Sequence, residues 1–201
     1  MKKASIITCA IVVFVILILF SCAYTINEAE QVVITRFGEI TKVIVPEKNY
    51  ETTASELRAD ERFQNVAIQH GRGLFFKIPF IDTVIKYPSI LFTYDTPPRG
   101  VITNDKKNLI LDNTAQWQIV NPVLFMVGIG IAGNPNTRID DILYSKLNEK
   151  VGQVDAHVLI TDREYTENLL TQITTESNEI VNSFGIRINY VRIRRQYDRC
   201  G

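Results

Sequence analysis

No charged residue occurs between Lys3 and Glu28, and within that gap Ala4–Tyr24 reads ASIITCAIVVFVILILFSCAY. A helix that crosses the hydrocarbon of a bilayer needs roughly 20 mostly apolar residues, because each adds about 1.5 Å across about 30 Å. The centre of the run, Ile11–Phe20, is entirely β-branched, Leu or Phe, with no Gly or Pro to break it. Lys2 and Lys3 precede the run; Glu28 and Glu30 follow it. Basic residues stay on the cytoplasmic side, so the N-terminus is expected inside and the rest of the chain outside. Three readings share that export. In the first, residues 1–27 are a retained signal anchor, since the run exceeds the roughly 7–15 residues of a cleaved signal core. In the second, Leu19–Cys22 acts as a loose lipobox and Cys22 is lipidated after cleavage, although Phe20 is larger than the residue usual there. In the third, the leader is cleaved near Ala23.

Composition excludes several classes. Lys and Arg number 22 and so do Asp and Glu, which argues against a nucleic-acid binder or an acidic solvating tail. An apolar share of 46% with 22% charged residues is that of a folded chain. Cys9 and Cys22 lie in the apolar run and Cys200 is next to last, so the exported body has no internal disulfide framework. His70 and His157 are too few for a histidine-rich metal site.

Along the exported body, Glu30–Ile40 alternates and is rich in β-branched residues, predicting one strand that ends at Gly38. Residues 42–72 are polar and irregular and read as a solvated insertion, with Thr53–Glu56 as a capping box for a short helix. Gly73–Asp82 is an apolar strand interrupted by Pro79, and Val84–Tyr94 is a second extended run. Phe75, Phe76 and Phe80 either fill a core or touch the lipid surface next to the anchor. Thr96–Gly100 is a turn. Residues 109–119 show the clearest periodicity. Leu109, Leu111, Asn113, Ala115, Trp117 and Ile119 share one face of a long half-buried strand, with Trp117 as a core anchor. Asn121–Pro122 ends it, and the glycines of Met126–Asn136 read as a flexible joint rather than a nucleotide loop. Thr137–Asp140 opens a helix with Ile139, Ile142, Leu143, Leu147 and Val151 as its apolar stripe and Gly152 as its cap. Thr161–Glu164 is a capping box for a second helix that Gly185 stops, and Ile186–Arg195 is a last strand. Strands, then two amphipathic helices, then one strand predict an α+β body: β-rich to about residue 97, and α/β over residues 98–201.

The chemistry of a catalyst is missing. The sequence holds no nucleophile elbow, no HExxH, no CxxC and no P-loop. His157 beside Asp155 reads as a surface pair. Asp140 and Asp141 are expected at a helix start, where the helix dipole favours carboxylates. His70 has no partner in sequence. Arg187, Arg192, Arg194, Arg195 and Arg199 form a basic tail that offers a surface for phosphates or acidic partners but reads rather as a solvated strand face or a subunit contact. No catalytic, cofactor-binding or metal-binding residue is assigned.

Taken in order, several segments form a pattern. Glu28–Ile40 follows an N-terminal apolar run; then come Gly73–Val84, Thr103–Asp112, Trp117–Ile119, Ile160–Arg163 and Phe184–Arg195. The combination resembles the HflC-type branch of the stomatin/prohibitin/flotillin/HflK (SPFH, or Band 7) superfamily. The resemblance implies an SPFH1-like subdomain over 28–97 with a polar insertion at 42–72, and an SPFH2-like subdomain over 98–201. It implies a membrane-anchored scaffold rather than an enzyme, without cofactor, in the bacterial inner membrane, with its body periplasmic. The implied partners are an HflK-like protein, an FtsH-like ATP-dependent membrane protease and membrane lipids, with no nucleic acid and at most weak self-association. It also implies a long charged helix after the last strand. The sequence stops at Gly201, so the expectation is a chain cut short before that coiled coil.

Overall fold

The computed structural model describes residues 22–131 and 133–198. The expected anchor lies almost entirely outside them, and no helix among the described residues is long and apolar enough to cross a membrane. The chain divides into two compact units at Ser89/Ile90.

In the first unit, the last residues of the apolar run are a strand rather than the end of an anchor. Strand β1 (Ala23–Ile26) pairs antiparallel with β5 (Gly73–Phe76), Ala23 opposite Phe76. The larger sheet has the order β4-β3-β2-β6, built from β2 (Glu30–Arg36), β3 (Glu39–Val45), β4 (Ala67–His70) and β6 (Asp82–Pro88). Gln31–Thr35 of β2 are all buried, so this central strand is covered on both faces. One face carries Val32, Ile34 and Ile44, packed with Ile26 of β1 and with Tyr24, Phe75 and Val84. Lys86 ties β1 to this sheet by donating to the Thr25 carbonyl (2.6 Å) and to Glu30 (3.0 Å). The sequence EQVVITRFGEI is therefore not one strand. It is β2 and the start of β3, joined by the two-residue turn Phe37–Gly38.

The 42–72 segment is not an irregular insertion either. It holds most of β3, helix α1 (Glu47–Ala59), a 3₁₀ turn (Glu61–Phe63) and β4, which runs parallel to β3 after the α1 crossover. Helix α1 starts behind Pro46, and Thr53, expected as its cap, is buried in its middle. Its inward residues are Asn49, Thr53, Ala54 and Leu57, spaced as one helical face but with a single large apolar side chain among them. That is why no apolar stripe shows in the sequence.

The second unit holds a four-stranded antiparallel sheet centred on β9 (Asn108–Ile119). Strand β10 (Ile186–Asp198) lies on one side of it; β7 (Phe92–Asp95) and β8 (Arg99–Ile102) share the other, opposite different stretches of β9. Leu109, Leu111, Asn113, Ala115, Trp117 and Ile119 all face inward as the alternation predicts. Trp117 is a buried core residue, its ring stacked on Phe92 with centroids 4.7 Å apart.

Five helices occur among the described residues, where the sequence showed two long ones. Helix α2 (Pro122–Gly128) takes up the start of the glycine-rich joint. The Asn121 side chain caps it by accepting from the Val123 and Leu124 amides. Helix α3 (Pro135–Val151) begins two residues earlier than Thr137, because Asn134 accepts from the Asn136 amide and Pro135 suits the first helical position. Helix α4 (Ala156–Thr161) precedes α5 (Arg163–Val181), and the cap between them is Asp162, not Thr161. Lys146 and Lys150 of α3 both reach Glu176 of α5. A 3₁₀ turn (Asn182–Phe184) leads into Gly185, at φ 66°, where a Cβ would meet the Asn121 carbonyl oxygen at 2.1 Å. The architecture is α+β.

Candidate functional site

The feature of the first unit that solvent least explains is an exposed apolar end. In the β2–β6 register Arg36 lies opposite Asp82. The turn after Arg36 and the loop before Asp82 therefore project from the same end of the sheet. The turn carries Phe37, 88% exposed; the loop carries Phe80, 97% exposed, between Ile78 and Ile81. Phe76 and Leu74 of β5, 71% and 60% exposed, lead into that loop. The Cys22 carbonyl accepts from the Lys77 amide at 2.8 Å, so the chain enters the fold from the apolar run beside this loop.

Two of the phenylalanines are held in conformations their side chains disfavour. Phe37 has φ 52° and Phe80 φ 66°, the left-handed region. With Gly38 at φ 90°, Phe37–Gly38 has the positive φ at both central positions that a type I′ hairpin turn needs, a turn that favours Asn, Asp or Gly first. Placing a non-glycine residue there costs about 1–2 kcal/mol. Neither Phe recovers that cost by burial. Asp82 fixes the loop: it accepts from Arg36 Nε at 2.9 Å and from the Ile78 amide at 3.0 Å, while its own amide donates to the Ile78 carbonyl. The Arg36 guanidinium, and then the Ile78 amide, hold the Asp82 carboxyl below the usual range. The loop is thus braced by an ion pair and two backbone bonds with its apolar side chains pointing outward.

Of the two sequence readings of these aromatics, the core one holds for Phe75 alone. Its ring lies 6.0 Å from that of Tyr24. Sequence reasoning singled out Phe76 and Phe80 but missed Phe37. The signal available was a large aromatic immediately before Gly38 in an alternating run.

The polar candidates do not assemble into a site. His70 is exposed on β4 with its ring edge-on to Tyr50, centroids 5.2 Å apart. His157 is exposed, and Asp155 accepts from Asn104 at 2.9 Å instead. Asp140 and Asp141 lie beyond the first turn of α3 and part company: Asp140 is buried against Arg99, while Asp141 is exposed. Arg99 also lies over the Tyr144 ring at 4.7 Å, which makes the cluster a brace between β8 and α3. Arg187 and Arg192 are exposed on β10. Residues 103–107 prove to be a turn organised by Asp105, which accepts from Thr103 Oγ1 at 2.6 Å and from the Ala156 amide at 3.1 Å, so that it caps α4 from a distance. Those two bonds, with Lys107 nearby, bring the Asp105 carboxyl down to about 2. Among the described residues no group of three or more His, Cys, Asp or Glu is placed to hold a metal ion.

Comparison with known proteins gives this arrangement a setting. Residues 24–197 match the SPFH domain / Band 7 family. The chain is 26% identical over 178 residues to the "Modulator of FtsH protease HflC" of Escherichia coli, covering 87% of this chain and 45% of that protein. It is 28% identical over 126 residues to "Protein HflC" of Treponema pallidum, covering 63% of this chain and 30% of that one. It is 25% identical over 124 residues to mouse stomatin, covering 62% and 42%. The chain spans less than half the length of each of these relatives. The family match runs from the second residue of β1 to the penultimate residue of β10 and so takes in both units: the chain belongs to the SPFH domain / Band 7 family, in its HflC branch.

Proposed function

We propose that the protein is a membrane-anchored regulatory scaffold that works with an HflK-like partner to modulate an FtsH-like protease. The observation that carries this reading is the likeness to a modulator of FtsH protease across 87% of the chain. Residues 4–21 supply the anchor. The apolar end of the first unit, which begins where the anchor stops, rests in the outer boundary of the bilayer. Phe37, Phe76 and Phe80 are exposed there without a partner among the described residues, and burial of apolar surface releases roughly 25 cal/mol per Å². The chain holds its lipid-facing loop by the Arg36–Asp82 pair and takes no part in bond chemistry.

The test is reconstitution of the full chain with an FtsH-type protease and an HflK-like protein in proteoliposomes. The expected result is a changed rate of degradation of a membrane substrate and an unchanged rate for a soluble one. Equal rates with and without this chain would overturn the regulatory reading. A second reading has Cys22 lipidated and the body released from a cleaved leader; the partial exposure of Cys22 beside the same apolar loop is compatible with it. Intact mass of the purified protein separates the two, since a lipidated N-terminal Cys22 excludes a retained anchor.

A further inference from the structure

In the second unit, α4 and α5 on one side and β10 on the other enclose an open groove of about 1050 Å³. Strand β10 is the outermost strand of its sheet. Five consecutive residues of it, Asn189–Ile193, line the groove. Successive side chains of a strand point to opposite faces, so five in a row means that the backbone edge itself opens onto the groove. At the first position of that edge the partner is already supplied. The Asn178 side-chain amide donates to the Ile188 carbonyl and accepts from the Ile188 amide, both at 2.8 Å, the two bonds a neighbouring strand would make. Beyond Ile188, among the described residues, no hydrogen bond outside the β9 ladder reaches Asn189–Ile193.

Beyond Asn178, no side chain of the opposite wall hydrogen-bonds Asn189–Ile193 among the described residues. Its threonines donate their hydroxyls back into the helix: Thr171 to the Glu167 carbonyl (2.9 Å), Thr174 to Leu170 (2.7 Å) and Thr175 to Thr171 (3.0 Å). Their hydroxyl protons are thus already used within the helix, and the half-exposed Tyr190 ring and Ile160 add apolar surface to the groove. The charge in the groove is positive. Glu167 is already engaged by Arg163 at 3.0 Å, while Arg192 makes no ion pair among the described residues. An open groove of mixed polar and apolar lining beside a free strand edge fits an extended backbone, and Arg192, without an ion pair among the described residues, sets its sign. A second copy of this strand would bring its own Arg192 to the edge, and like charges across paired strands destabilise.

We infer that the groove between α5 and the free edge of β10 is a docking site for an extended, acidic segment of another protein, which adds to the sheet as a further strand alongside Asn189–Ile193. The Asn178 amide sets the register by closing the edge at Ile188, and Arg192 selects a carboxylate. This assignment does not rest on the membrane reading.

The probe is a capped, fluorescein-labelled ten-residue peptide alternating glutamate and valine, titrated against the full chain in detergent micelles at low salt and read by fluorescence anisotropy. A dissociation constant on the order of 10–100 μM is expected for so short a segment. A lysine–valine peptide is expected to bind at least about tenfold more weakly. A glutamate–valine peptide N-methylated on alternate amides, which cannot bond a strand edge, is expected to lose binding. Arg192→Glu, at an exposed position, is expected to reverse the charge preference with an unchanged thermal midpoint. No binding of the glutamate–valine peptide overturns the assignment, as does equal binding of the two signs or undiminished binding of the N-methylated form. A dimer in light scattering that Arg192→Glu abolishes would give the groove to a second copy, and overturns it too.

Discussion

Phe37 occupies a position at which local backbone preference and burial both argue for another residue. A type I′ turn favours Asn at its first central position, and an 88% exposed aromatic gains nothing from the core. Phe37→Asn should therefore stabilise the soluble body by about 1 kcal/mol while weakening its adsorption to lipid vesicles, with thermal melting and vesicle co-sedimentation as the two readouts. Melting that falls instead would mean that Phe37 packs in a way its exposure does not show. Asp105 is the contrasting residue, a charge whose task is internal. Its carboxyl titrates near 2 when folded against an ordinary value of 3.8, because Thr103 and the Ala156 amide donate to the ionised form. A depressed folded value means that its contribution is fully present above about pH 4 and is lost as pH falls toward 2. Asp105→Asn should lower stability near neutrality, change it least below about pH 2, and so flatten the acid limb of the stability profile between those values. Acid unfolding monitored by circular dichroism checks this.

At the scale of elements, legibility followed how much of the fold's physics is periodic. Strand β9 was readable because one face is buried throughout and the other is not, so the alternation survives in the residue types. Helix α1 was not, because Asn49 and Thr53 share its inward face with Ala54 and Leu57. The β2–β3 hairpin was hidden because Phe37 stands where a turn residue would announce it. The apolar end was half legible: the sequence marked Phe75, Phe76 and Phe80, but strand register decides which of them turns inward, and register is set by pairing partners distant in sequence. Strand β1 was absorbed into the apolar run for a related reason, since Ala23 and Tyr24 are as apolar in a strand as in an anchor. Its role is nonetheless distinct. Ile26 is buried, and the Tyr24 ring stacks on Phe75 over the first sheet. A soluble fragment starting at Glu28 removes this strand and leaves β5 without its partner, whereas one starting at Cys22 keeps it. The shorter fragment is expected to lose about 2–5 kcal/mol of stability, the range for removing one large buried side chain. Equal denaturation midpoints for the two fragments would show that β1 is dispensable.

For the whole molecule, the N-terminal run and the apolar end of the first unit are linked by covalent continuity and a hydrogen bond. Cys22 directly precedes β1, its carbonyl is 2.8 Å from the Lys77 amide, and Lys77 opens the loop that displays Phe80. If residues 4–21 cross the bilayer, that loop emerges at its surface without any further segment to position it. Which surface is a matter of charge. Lys2 and Lys3 precede the run and the nearest charges after it are Glu28 and Glu30, so on the proposed reading the folded body is expected on the far side. The rule counts Lys and Arg and gives little weight to acids, so Lys2 and Lys3 carry this expectation. An alkaline phosphatase fused after Gly201 is therefore expected to be active, and a cytoplasm-dependent reporter at the same place silent. Replacing both lysines, as Lys2→Gln with Lys3→Gln, should shift a measurable share of molecules to the opposite orientation. A fusion active only in the cytoplasm would put Phe37 and Phe80 at the cytoplasmic face of the bilayer instead and overturn the expected orientation.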